Sequence, residues 1–95
     1  MIMLFKSDGC IACHQVLYDF KYGDWKDWAS HLKVVDVKFN EEEQCFKAYI
    51  DGEETEGKSP VNAVPAMYLV EEEKLFQGFQ EIKREVEKWQ QAELD

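Results

Sequence analysis

The sequence lacks the features that mark exported, membrane-spanning or disulfide-rich proteins. Its 95 residues include only two prolines and three cysteines, an odd number that cannot all pair within one chain. The apolar run from Met1 to Phe5 is five residues long, whereas a membrane-spanning helix needs about 20 and a signal-peptide core about 7–15. We therefore expect a cytoplasmic protein without a disulfide framework.

Basic residues are scarce relative to acidic ones, and this limits the expected partners. Eleven Lys and Arg stand against twenty Asp and Glu, so the formal net charge is −9. Phosphate backbones and anionic lipid surfaces repel such a protein. We therefore expect neither nucleic acid nor membrane as a partner, and we expect a monomer. Solubility is the simpler interpretation of the charge, and steering toward a basic partner is the alternative.

The chain does contain enough apolar material for one modest core. Apolar residues make up 45% of the sequence and aromatic residues 14%. A chain of this length forms one domain by default, so we expect residues 1–95 to fold as a single domain.

Short apolar or β-branched runs bounded by turn-forming residues predict four strands. These strands cover residues 2–5, 34–39, 64–70 and 74–77. The third contains Val64-Pro65 at its start, and proline is tolerated there because the first position of a strand needs no N–H group.

Helical spacing predicts helices between and after these strands. The first begins near Cys10, is broken or kinked at Gly23 and continues toward Leu32. Asn40 and Glu43 have the spacing of a capping box, which predicts a second helix to about residue 50, followed by a polar loop. A last helix carries a core-facing stripe at residues 79–89. The order β-α-β-α-β-β-α predicts a four-stranded mixed sheet with helices on both faces, a parallel pair and a C-terminal antiparallel hairpin.

The segment Cys10-Ile11-Ala12-Cys13 is the strongest chemical signal, because it lies between a predicted strand and a predicted helix. Unpaired N–H groups and the dipole at a helix N-terminus stabilise a thiolate. We therefore expect Cys10 to have a lowered thiol pKa and to act as the nucleophile. Cys13 lies one turn further along, within bonding reach, so it is expected to be the resolving cysteine of a dithiol/disulfide cycle.

Two other uses of these cysteines have less support in the sequence. Zinc needs four ligands, and only Cys45, His14 and His31 could complete such a site. Residues Cys10 to His14 also match the attachment pattern of c-type haem, which belongs to exported and mostly helical proteins. We therefore expect a site that needs no metal and no cofactor, and we expect Cys45 to be a buried apolar residue.

The CxxC motif after the first strand, together with Val64-Pro65, resembles the thioredoxin and glutaredoxin superfamily. The resemblance runs from Ile2 to Trp89 and is nearest to the small glutaredoxin-like redoxins that reduce ribonucleotide reductase, whose pattern Cys10 to His14 and Gly78-Phe79 match. It implies a thioredoxin-like α/β domain that reduces protein disulfides. It also implies a cis peptide bond before Pro65 and a substrate strand held by Val64 and Pro65.

Departures from the family bear on the expected reductant. The residues between the cysteines are Ile11 and Ala12, where thioredoxins have Gly-Pro and glutaredoxins have Pro-Tyr. Gly78 is followed by Phe79 and Gln80, so the pattern that holds glutathione in glutaredoxins is incomplete. The resemblance therefore favours a flavoprotein thioredoxin reductase over glutathione as the partner. The alternative function is a thioredoxin-shaped binding module whose cysteines are incidental.

Overall fold

The computed structural model describes residues 1–50, 52–54 and 61–94, which form a mixed α/β fold. The strands of these residues are β1 (Ile2–Lys6), β2 (Leu32–Asn40), β3 (Cys45–Ile50), β4 (Glu53–Glu54), β5 (Ala66–Leu69) and β6 (Lys74–Gln77). The helices are α1 (Ile11–Lys21), a 3₁₀ helix (Lys26–His31) and α2 (Phe79–Leu94). The six strands form one sheet in the order β4-β3-β2-β1-β5-β6.

The centre of the sheet has the strand directions that the sequence predicts. β1 and β2 pair in parallel, with Leu4 opposite Val34, and α1 and the 3₁₀ helix connect them. β5 pairs antiparallel with β1, and β6 pairs antiparallel with β5. The mixed sheet, its parallel pair and its C-terminal hairpin are therefore confirmed.

The helix predicted from Asn40 to about residue 50 is wrong, because this segment forms a β-hairpin. β2 continues to Asn40, residues 41–44 form the turn, and β3 returns antiparallel with Phe46 opposite Phe39. Asn40 Oδ1 accepts a hydrogen bond from the Glu43 N–H at 3.0 Å, the same bond that a capping box would make. Gln44 then adopts a left-handed backbone (φ 54°), which ends the helical path after one turn.

Alternation of side chains accounts for the pairing of β3. Phe46 and Ala48 pack on the apolar core of one sheet face. Lys47 and Tyr49 lie on the other face, where the Lys47 ammonium is 3.2 Å from the Glu54 carboxylate and the Tyr49 hydroxyl donates to Glu54 at 2.8 Å. The sheet therefore has six strands in place of the predicted four. The expected polar loop also contains β4, while residues 51 and 55–60 of it lie outside the described residues.

α1 and α2 pack on the same face of the sheet. Val16 and Phe20 of α1 and Ile82 and Val86 of α2 share one core cluster with residues of β1 and β5. The opposite face carries a second cluster that includes Phe5, Val35, Val37 and Ala66. The prediction of helices on both faces is not met among the described residues, where α1 and α2 lie on one face and the predicted helix after Asn40 is a hairpin.

The first predicted helical region is divided into two elements. α1 ends at Lys21. A Cβ atom at position 23 would lie only 3.0 Å from the Asp19 backbone, so the turn after α1 favours glycine there. Trp25, the N-cap residue of the 3₁₀ helix that follows, is buried against Phe20, with ring centroids 5.3 Å apart. Within the described part of the chain, no helix has the length and apolar character needed to cross a membrane.

Candidate redox site

The site begins where β1 ends and α1 starts. Gly9 has a φ of 80°, a left-handed conformation that glycine adopts without a steric penalty. Cys10 follows as the N-cap of α1 with an extended backbone, and its Sγ accepts a hydrogen bond from the Cys13 N–H at 3.1 Å. The sulfur thus occupies the position that a serine or aspartate oxygen takes at many helix N-termini.

Cys10 and Cys13 form a disulfide, with their Cα atoms 5.2 Å apart. The two residues differ in access, because Cys13 is fully buried and Cys10 is partly exposed. A sulfur of another molecule can therefore reach Cys10 and not Cys13. After reduction, the N–H group that now contacts Cys10 Sγ would stabilise a thiolate at that position.

The peptide bond between Val64 and Pro65 is cis, as the resemblance implies. Pro65 is buried and Val64 is half-buried. Ala66, the next residue, begins β5 and lies opposite Phe5 near the end of β1. Because β1 leads through residues 7–9 to Cys10, the register places the cis bond and the disulfide at the same edge of the sheet.

Sequence reasoning missed Gln77, the last residue of β6, which positions the chain before the cis bond. Its side-chain Oε1 accepts hydrogen bonds from the N–H groups of Asn62 at 2.7 Å and Ala63 at 3.2 Å. The neighbouring Gly78 N–H donates to the Pro65 carbonyl at 2.8 Å. The end of β6 therefore holds the chain on both sides of Val64. Only its place beside Gly78-Phe79 could have drawn attention to Gln77.

Replacing Gln77 by alanine is expected to lower the free energy of unfolding by about 1 kcal/mol, because the N–H groups of Asn62 and Ala63 lose their acceptor in the protein and bond to water instead. Amide exchange at Asn62 and Ala63 should accelerate more than exchange in β1. Urea unfolding and hydrogen exchange measure the two effects. Gln80→Ala, at an exposed position on α2, is the matched control and should change neither. Unchanged exchange at Asn62 and Ala63 in Gln77→Ala would contradict the positioning role.

Charges near the start of α1 are paired with one another. The Lys6 ammonium lies 2.6 Å from the Asp36 carboxylate and 3.4 Å from that of Asp8. The hydrogen bond to Asp36 raises the pKa of Lys6 above its ordinary value, although partial burial acts in the opposite direction. Lys6 therefore stays protonated at neutral pH, and it joins the end of β1 to the middle of β2 and to the loop that precedes Cys10.

The alternative ligands lie in separate places. His14 is exposed on α1, and Cys45 is a free cysteine at the start of β3 that is only half-buried, so the expectation of a buried Cys45 is not met. Among residues 1–50, 52–54 and 61–94, no three His, Cys, Asp or Glu side chains come together as a metal site.

The fold and the site together define an α/β domain with a CxxC disulfide at a helix N-terminus and a cis-proline turn at the same sheet edge. Comparison with known proteins finds no match for this chain among protein-family models, curated proteins or solved structures.

Proposed function

We propose that the protein is a thiol–disulfide oxidoreductase that reduces protein disulfides through Cys10 and Cys13. One observation carries the proposal: the accessible Cys10 caps α1 and receives an N–H hydrogen bond, while its disulfide partner Cys13 is buried. This asymmetry separates the two roles that the chemistry needs. One thiolate must be accessible to attack a sulfur of another molecule, and the second must lie close enough to attack the first cysteine afterwards.

The reduced protein begins the cycle. The Cys10 thiolate attacks one sulfur of the substrate disulfide, forms a mixed disulfide and releases the other substrate sulfur as a thiolate, which takes up a proton. Cys13 loses its proton and attacks Cys10 Sγ, so the Cys10–Cys13 bond closes and the second substrate sulfur leaves reduced. Two electrons have then passed from the dithiol to the substrate. A reductase returns two electrons to the disulfide.

Several features support a thioredoxin-like arrangement of this site. The strands β2-β1-β5-β6 combine one parallel pair with a C-terminal antiparallel hairpin, and Val64-Pro65 is cis at the edge where α1 begins. In the proposal, the Val64 backbone pairs with the extended substrate chain and Pro65 shapes the turn beside Cys10. The β3-β4 extension departs from the four-stranded arrangement that the resemblance implies.

The proposed partners follow from the resemblance and from its departures. Because Phe79 and Gln80 follow Gly78, the glutathione-holding pattern is incomplete, and a flavoprotein thioredoxin reductase is the proposed reductant. Ribonucleotide reductase is the proposed acceptor, and the cytoplasm is the proposed compartment.

The reduction potential of the Cys10–Cys13 pair tests the proposal. The protein is equilibrated in dithiothreitol buffers of known ratio, and its thiols are trapped and counted by mass, with Cys45→Ser used to remove the third thiol. We expect a two-electron transition at about −270 mV, the value of a thioredoxin-type reductant. A value of about −120 mV would identify an oxidant. Absence of an intramolecular disulfide at every ratio would favour the binding module.

A further inference from the structure

The outward face of α1 carries apolar and aromatic side chains. Helical spacing aligns Ile11, Gln15, Tyr18 and Tyr22, which we call the α1 stripe, on the side of the helix opposite its buried residues. Ile11 is 88% exposed, Tyr18 58% and Tyr22, the C-cap residue, 68%. These side chains therefore contribute little to the core of the protein.

The composition of the α1 stripe contrasts with that of the exposed side of α2. None of the twenty Asp and Glu lies in the α1 stripe, and the Asp19 carboxylate beside it accepts a hydrogen bond from Gln15 at 3.2 Å. α2 packs on the same sheet face, yet its exposed positions carry charged or amide residues with the exception of Ala92: Gln80, Glu81, Lys83, Arg84, Glu87, Lys88 and Gln91. Packing of a helix on this face does not explain an apolar outer side. Depletion of charge and enrichment of tyrosine are typical of protein–protein interfaces.

The two tyrosines form an ordered platform. Their ring centroids are 5.6 Å apart with the rings inclined by 52°. The Lys21 ammonium lies 5.9 Å from the centroid of the Tyr22 ring. Tyrosine supplies a large contact area with few rotatable bonds, so a platform of this kind loses little conformational entropy on binding.

The α1 stripe starts beside the nucleophile, since Ile11 directly follows Cys10, and it extends for about 16 Å along the helix to Tyr22. A protein whose sulfur reaches Cys10 must also cover Ile11. We propose that the α1 stripe is the docking surface for the disulfide-bearing protein partner of Cys10. This inference rests on the proposed function. The partner would present an apolar patch beside its reactive cysteine, with a basic rim to match the net charge of −9.

Two activated peptides provide the test. Both carry one cysteine as a mixed disulfide with thionitrobenzoate and the same lysines, and they differ only in apolar residues, which are serines in the second peptide. The reduced protein should release thionitrobenzoate from the apolar peptide at least about tenfold faster than from the serine peptide. The double variant Tyr18→Ser with Tyr22→Ser should reduce both peptides at the slower rate. Its reduction of bis(2-hydroxyethyl) disulfide should stay within about twofold of wild type, because that molecule is too small to reach the tyrosines.

The control replaces Gln80 and Gln91 by serine on the exposed side of α2 and should keep the preference for the apolar peptide. The docking role is overturned if the wild-type protein shows no preference. It is also overturned if the tyrosine variant loses activity equally toward the small disulfide, since the tyrosines then act on the fold or on Cys10. If the wild-type protein reduces no disulfide at all, the proposed function fails, and the docking role fails with it.

Discussion

Replacing Cys10 by serine is expected to lower the rate of protein-disulfide reduction at least about 1,000-fold, because the attacking thiolate is lost. The fold should survive the change. Cys10 Sγ accepts the Cys13 N–H as the N-cap of α1, and a serine hydroxyl makes the same bond at many helix N-termini. Insulin reduction followed by turbidity measures the activity, and far-ultraviolet circular dichroism checks the helix. Retention of activity in Cys10→Ser would show that the roles are wrongly assigned.

The companion variant Cys13→Ser is expected to stop the cycle one step later. Cys10 still attacks the substrate, but no second thiolate opens the mixed disulfide, so the covalent complex should accumulate and appear by mass under non-reducing conditions. Cys13 is fully buried, and a hydroxyl there costs stability; Cys13→Ala keeps the position apolar and should trap the same complex. Cys45→Ser is the matched control and should turn over normally. Full activity of both Cys13 variants would exclude a resolving role.

Truncating Phe20 to alanine is expected to lower the free energy of unfolding by about 3–5 kcal/mol. Phe20 is 1% exposed and packs edge-on against Trp25, which in turn lies 6.2 Å from the Phe79 ring. Phe20 of α1 is therefore connected through Trp25 to the 3₁₀ helix and to α2. Loss of the Phe20 ring leaves a cavity where these three elements meet. Since domains of this size are stable by only about 5–15 kcal/mol, the variant should unfold at much lower urea concentration, with Tm lowered by at least about 12 °C.

Tyr22→Ala is the matched control for Phe20→Ala, because it removes an aromatic ring from the same helix end at an exposed position. Its effect on the free energy of unfolding should be within about 0.5 kcal/mol. Tryptophan fluorescence in urea follows both variants. A loss below about 1 kcal/mol in Phe20→Ala would show that the shared core of α1 and α2 is not the main source of stability.

The candidate site was largely predictable because its signals are local. A turn ending in glycine, a capping residue and a helical period all lie within a few residues of Cys10, so the placement of the cysteines at the start of α1 could be predicted from neighbouring residues. The cis bond at Pro65 came from the resemblance and not from periodicity. Gln77 was not predictable in this way, because its contacts with Asn62 and Ala63 join segments 14 and 15 residues apart.

The sequence by itself determined the β-α-β start, the C-terminal hairpin, the core-facing stripe of α2 and the position of the two cysteines at the start of α1. Apolar period and turn chemistry are properties of short segments, and in these four features they agree with the final fold. Only the tertiary structure decided the segment after Asn40. The hydrogen bond from Glu43 to Asn40 Oδ1 serves a helix cap and a turn equally, so it cannot choose between them. Pairing with β2 favoured the hairpin, because it places the ring centroids of Phe46 and Phe39 5.4 Å apart.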